Sequence, residues 1–110
     1  MDTINKRLVK NSLFIYFVDK LNIPQDDADK LSNLNAELQF KLGLGRATFR
    51  YKKKDGTLRE AEGTTYISEI PEDKRAKGIR SSSQAVQCYY DFGAEDWRCF
   101  RREMLVSMEG

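Results

Sequence analysis

Residues 89–105 read Tyr-Tyr-Asp-Phe-Gly-Ala-Glu-Asp-Trp-Arg-Cys-Phe-Arg-Arg-Glu-Met-Leu, and the fold turns on this stretch. It contains the only tryptophan, four further aromatic residues and the basic triplet Arg98, Arg101 and Arg102. Two aromatic-rich runs flank Gly93-Ala94-Glu95-Asp96, which is the pattern of a β-hairpin with a longer loop. With that loop, Phe92 faces Trp97, Tyr90 faces Cys99, and Asp91 faces Arg98 as an opposite-charge cross-strand pair. Alternation divides the hairpin into two faces. Val86, Cys88, Tyr90, Phe92, Trp97 and Cys99 are expected to face the core, whereas Gln87, Tyr89, Asp91, Arg98, Phe100 and Arg102 share the other face.

Downstream, a turn at Arg102 to Met104 leads into a short strand over Leu105 to Ser107. Upstream, residues 71–84 combine Pro, Gly, mixed charge and Ser81-Ser82-Ser83, and read as an exposed loop with a mobile serine run. Before it, Tyr66, Ile67 and Ile70 lie at helical spacing and predict a short turn or 3₁₀ segment ended by Pro71. From Arg46 the apolar period is two: Ala47, Phe49 and Tyr51 alternate with Arg46, Thr48, Arg50 and Lys52, a half-buried strand with a basic outer face. A turn follows at Lys54-Asp55-Gly56. A two-residue loop sets Phe49 opposite Glu62, whereas a three-residue loop with left-handed Gly56 sets Phe49 opposite Ala61 and Arg50 opposite Glu60, the better register. Five short strands with a long insertion before the third suggest a small closed or nearly closed barrel.

Residues 1–42 have a different period. From Thr3 to about Asn22, Ile4, Leu8, Ile15 and Val18, with Val9, Leu13, Tyr16 and Phe17, fit a helix with a broad apolar face. Leu13 to Val18 has strand propensity too, but the 3.6 spacing continues beyond it and decides for helix. Phe14 and Phe17 flank a stripe centred on Ile15, so this helix is expected to be buried against the barrel and against a second chain. Pro24 breaks the pattern, and Asp26, Asp27 and Asp29 suit the start of a second helix. Leu31, Leu34, Leu38 and Leu42 mark its apolar face, with Gly43 and Gly45 as the stop. The expected class is therefore α+β, with a helical hairpin over 1–44 and the β-domain over 45–110 in one compact unit. A DNA-reading helix pair is disfavoured, because the second helix offers only Lys30 and Lys41 amid four acids. Packing or homo-oligomerisation through these helices fits better.

The 110 residues, 40% hydrophobic and 33% charged, suit one globular domain. No apolar run nears the roughly 18 residues of a membrane span, and the N-terminus lacks a signal-peptide core, so no membrane is expected and the cytoplasm is the default. The net charge is +2, and residues 43–110 carry thirteen basic against eleven acidic side chains. Arg46, Arg50 and Lys52 to Lys54 form one basic run, and Lys74, Arg75, Lys77 and Arg80 another. Each suits a solvated face better than a phosphate footprint. Two cysteines without any histidine cannot make a usual zinc site, and Cys88 and Cys99 are expected to be reduced thiols lying diagonally on one hairpin face. With no histidine, no Gly-rich phosphate loop and no nucleophile beside a base, no catalytic residue, metal or cofactor is expected.

Phe49 to Ala61, Ile70-Pro71, and Tyr90-Asp91 followed by Trp97-Arg98-Cys99-Phe100-Arg101 resemble the small Sm-like barrel proteins of gut Bacteroidales and their mobile elements, which are related to WYL domains. The resemblance spans residues 46 to 107 and implies an SH3-like/Sm-like β-barrel after the helical hairpin. The chain keeps Trp97, Arg98, Phe100 and Arg101 of the last hairpin, continues with Arg102-Glu103-Met104-Leu105, and has no Trp-Tyr-Leu triplet. The resemblance further implies a sensory or regulatory module that binds single-stranded nucleic acid or a nucleotide-like anion, and the missing catalytic groups speak against an enzyme. Tyr89, Arg98, Phe100, Arg101 and Arg102 are the residues expected to stack bases and hold phosphates. The alternative is a protein-interaction or oligomerisation module in which Tyr89 and Phe100 lie under the helices.

Overall fold

A computed structural model describes residues 2–75 and 82–109. Helix α1 (Asp2–Asp19) stops where Asn22 takes a left-handed φ of 56°. There Ile23 donates its N–H back to the Phe17 carbonyl at 3.0 Å, and Asn tolerates the left-handed conformation that this ending needs. Pro24 then caps α2 (Gln25–Leu44), whose first turn carries Asp26 and Asp27 next to the positive end of the helix dipole. The two halves of α2 serve different clusters. Ala28 packs with Leu13 and Phe17 of α1, while Leu38 and Leu42 enter the core of the sheet.

The apolar face of α1 is not the one the spacing suggests. Leu13 and Phe17 are buried, whereas Ile15 and Leu8 are 57% and 61% exposed. The cause is that α1 packs on α2 along the Leu13–Phe17 line, which leaves the opposite side of the helix to solvent. Among the described residues no helix is long and apolar enough to cross a membrane.

The strands are β1 (Ala47–Lys52), β2 (Leu58–Thr64), β3 (Val86–Asp91), β4 (Asp96–Arg101) and β5 (Leu105–Met108), hydrogen-bonded in the order β4-β3-β2-β1-β5 and antiparallel throughout. The β1–β2 hairpin has the expected register, Phe49 opposite Ala61 and Arg50 opposite Glu60, with Gly56 at φ 88°. The 3₁₀ turn at Ile67–Glu69 also falls where the spacing puts it. Hydrogen bonding does not close the sheet among the described residues. Strands β4 and β5 form its two edges, yet only the 3₁₀ turn Arg102–Met104 separates them in the chain. The sheet must therefore coil until its edges come near each other.

The β3–β4 hairpin differs from the sequence reading. Tyr90 pairs with Trp97, Tyr89 with Arg98 and Cys88 with Cys99, so the turn lies one residue earlier than Gly93–Asp96. Asp91 sets this turn: its Oδ1 accepts the N–H groups of Gly93 and Ala94 at 2.9 and 3.1 Å, its carbonyl accepts that of Glu95, and Glu95 is left-handed at φ 54°. Each partner shifts by two positions, which preserves the two faces. Their roles are exchanged, however. Tyr89 and Phe100 lie on the face covered by α2 and form an aromatic cluster with Phe49 and Tyr51; the Tyr51 and Phe100 rings stack at 4.5 Å. Gly63 makes room for this cluster, because a Cβ there would collide with the Tyr89 ring and the Tyr90 carbonyl.

The segment after the 3₁₀ turn is only partly a loop. It includes the short helix α3 (Glu72–Arg75), whose Lys74 carbonyl accepts the Trp97 indole N–H at 2.9 Å. Ser82 and Ser83 are anchored rather than loose: their hydroxyls accept the N–H groups of Cys88, Ala85 and Val86. Lys77, Arg80 and Ser81 lie outside the described residues.

Candidate functional site

The five residues singled out from the sequence do not form an exposed platform. Tyr89 and Phe100 are sealed in the aromatic core, where stacking on a base would require the fold to open. Arg98 is exposed, donates to the neighbouring Trp97 carbonyl and lies 3.9 Å from Asp96. Arg101 is exposed and bridges to Glu103 at 3.0 Å. Two arginines of the sheet's outer face are similarly engaged: exposed Arg46 with Glu62 and Glu69, and half-buried Arg50 with Glu60 and Glu109. The basic outer face of β1 is thus largely neutralised across strands, and such exposed pairs contribute little stability.

Two polar clusters are built into the covered face of the β3–β4 hairpin. At the turn end, Asp91 is 1% exposed and forms an ion pair with Arg59. The Tyr89 hydroxyl is within 3.4 Å of the same carboxylate and 2.8 Å from the Tyr51 hydroxyl. Burial first, then the hydrogen bond with Tyr51 and the nearby Asp91 charge, push the Tyr89 hydroxyl far above its usual range.

At the open end lies Arg102, 3% exposed. Its Nε donates to the Ser83 carbonyl at 2.7 Å, Nη1 to Gln87 Oε1 at 3.1 Å and Nη2 to Gln39 Oε1 at 2.9 Å. Its own carbonyl accepts the Asn35 amide at 3.0 Å, which ties the turn to α2. All three guanidinium partners are neutral, and no carboxylate pairs with it among the described residues. Burial lowers its pKa to about 10, so it remains charged at neutral pH. A buried cation is normally paired, because desolvation is expensive.

Gln39 and Gln87 also line a cleft of about 260 Å³, together with Ser82, Thr65, Cys88, Ile67 and Trp97. Their amide oxygens point at the guanidinium, and the Gln87 amide nitrogen donates to Ser82 Oγ at 3.0 Å and to the Cys88 carbonyl at 2.9 Å. The cleft thus has a positive charge behind its glutamine side chains, with Ser82, Thr65 and the Trp97 indole in its walls. A larger depression of about 430 Å³ at the start of α2 is lined by Phe14, Gln25, Asp26, Asp29 and Lys30. Its charges are exposed and Asp29 already pairs with Lys10, so it offers no buried charge to hold a ligand. Among the described residues no His, Cys, Asp or Glu group could hold a metal ion.

Sequence reasoning singled out Arg102 but not Gln39, Gln87, Ser82 and Trp97 around it. The available signal was Gln87, a polar residue within a strand on the face that Tyr89 and Phe100 make apolar.

No curated protein and no solved structure matches the chain. A family model does, over residues 35–106, from the α2 residue that binds the Arg102 carbonyl through the first half of β5. By this match over most of its length, the chain belongs to the family described as WYL_2, Sm-like SH3 beta-barrel fold.

Proposed function

We propose that the protein is a regulatory, non-catalytic module of the cytoplasm that senses a small nucleotide-like anion in the cleft beside Arg102. The observation that carries this reading is a buried guanidinium held only by neutral acceptors, immediately behind a cleft with polar and aromatic walls. An anion there supplies the charge compensation that Arg102 lacks, and the Trp97 indole offers a base a stacking surface. Membership of the WYL_2 family agrees with such a role. The burial of Tyr89 and Phe100 favours a compact ligand over an extended single strand, which needs a row of exposed aromatic rings.

The test is thermal unfolding and calorimetry of the full chain with adenosine 5′-monophosphate, inorganic phosphate and a short single-stranded RNA. Millimolar mononucleotide is expected to raise the midpoint by several degrees in proportion to RT ln(1 + [L]/Kd). The shift is expected to vanish in Arg102→Met, with circular dichroism reporting its fold. Equal shifts in both proteins, or none with any anion, overturn the reading.

A second reading, homo-oligomerisation through the N-terminal helices, is favoured by Leu8 and Ile15, both exposed and seven residues apart on one side of α1. Sedimentation at high concentration decides it: Ile15→Lys is expected to convert a dimer into a monomer, and a wild-type monomer removes it.

A further inference from the structure

Cys88 in β3 and Cys99 in β4 stand directly opposite each other in the register, and no disulfide joins them. Antiparallel partners alternate between hydrogen-bonded and non-hydrogen-bonded pairs, and the backbone shows which type this is. Arg102 donates its N–H to the Ala85 carbonyl at 3.0 Å, so the odd positions of this hairpin direct their peptide groups across to β4. The even positions turn theirs outward: Val86 donates to Ser83 Oγ and Cys88 to Ser82 Oγ, each at 3.1 Å. Cys88 and Cys99 are therefore a non-hydrogen-bonded pair, for which the Cα atoms lie about 4.5 Å apart with the side chains on one face. That separation is within the range a disulfide spans.

The two sulfurs differ in setting. Cys99 is partly exposed, whereas Cys88 is buried. The thiolate is the attacking form in thiol chemistry, and partial exposure puts the Cys99 sulfur within reach of a small oxidant.

We propose that Cys88 and Cys99 form an oxidation site, at which hydrogen peroxide converts the two thiols into a reversible cross-strand disulfide. The Cys99 thiolate attacks one peroxide oxygen, the O–O bond breaks, and sulfenic acid and hydroxide form. The Cys88 thiolate then attacks the Cys99 sulfur; the S–S bond forms, the S–O bond breaks, and the second hydroxide leaves. Protons from the two thiols turn both hydroxides into water. Two thiols are thus oxidised by two electrons in total and one peroxide is reduced to two waters.

The experiment treats the full chain with graded hydrogen peroxide, blocks remaining thiols and digests with trypsin without reductant. Cleavage after Arg80, Arg98 and Arg101 separates the two cysteines, so the disulfide appears as residues 81–98 linked to residues 99–101. Expected are the mass loss of two hydrogens, the simultaneous disappearance of both reactive thiols, and full reversal by dithiothreitol. Cys88→Ser is expected to stop at a Cys99 sulfenic acid trapped by dimedone, which shows the first step even if the disulfide is lost. Oxidation of wild-type Cys99 to sulfinic acid with Cys88 unchanged, a disulfide found only between chains, or no reaction at peroxide doses that oxidise free cysteine overturns the proposal.

Discussion

The two ends of the β3–β4 hairpin treat an arginine's charge in opposite ways. At the turn end, Arg59 meets Asp91, and the carboxylate also orders the turn backbone and lies beside the Tyr89–Tyr51 hydroxyl pair. At the open end, Arg102 meets two amide oxygens and a carbonyl. The first cluster is internally compensated and serves the fold. The second leaves a positive charge beside a cleft, which is the arrangement a site for an anion requires.

The comparison breaks most readily at Asp91. Asp91→Ala leaves the Gly93 and Ala94 N–H groups without an acceptor and the half-buried Arg59 without its partner, and is expected to cost about 3–5 kcal/mol in urea unfolding. Arg102→Met is expected to cost less, about 1–3 kcal/mol, because only neutral acceptors lose a donor. The reverse order would show that Arg102 is the structural member of the two.

Gly63→Ala comes next, at about 1–3 kcal/mol, since the added methyl must displace the Tyr89 ring or the Tyr90 backbone. It acts on the turn-end cluster and should leave the Arg102 guanidinium contacts intact. Loss of the response to mononucleotide in a folded Gly63→Ala protein would mean that the two ends are coupled.

Tyr89→Phe is expected to cost about 1 kcal/mol at neutral pH. The Tyr89 pKa is raised in the fold, so its contribution is fully present below the unfolded value of 10.0 and is lost as pH rises above it toward the higher folded value. Denaturation at pH 9 and pH 11 should therefore show the gap between wild type and Tyr89→Phe narrowing at the higher pH. The smallest effect belongs to Arg98→Ala, within about 0.5 kcal/mol and without change in the mononucleotide response, because its side chain is exposed and bound only locally.

What the sequence made legible was mostly local. Gly56 and the Arg50–Glu60 pair fixed the first hairpin, and Pro24 separated the helices, because each acts over a few residues. The two faces of β3 and β4 were legible too, from alternation alone. Which face is covered was not, because both contain aromatic residues and the choice depends on α2, more than forty residues upstream of β3. The same distance hid the cleft: Gln39 comes from α2, Thr65 follows β2, and Gln87 and Trp97 come from β3 and β4. Arg102 read as an exposed phosphate ligand because nothing in the adjacent sequence reveals that its backbone is tied down by Asn35 and Ala85.

The coiling that brings β5 to β1 also constrains how the chain assembles. The last strand pairs with the first, Phe49 against Met108 and Tyr51 against Leu105, so the pairing must close nearly the whole β-domain as one loop. Contacts of such long sequence separation slow folding, whereas α1 and α2 meet through a short connection. The helical hairpin is thus expected to collapse early and to offer Leu38 and Leu42 as a nucleus, with β5 docking last. Stopped-flow refolding should then show Leu105→Ala accelerating unfolding far more than it slows folding, and Leu42→Ala doing the opposite.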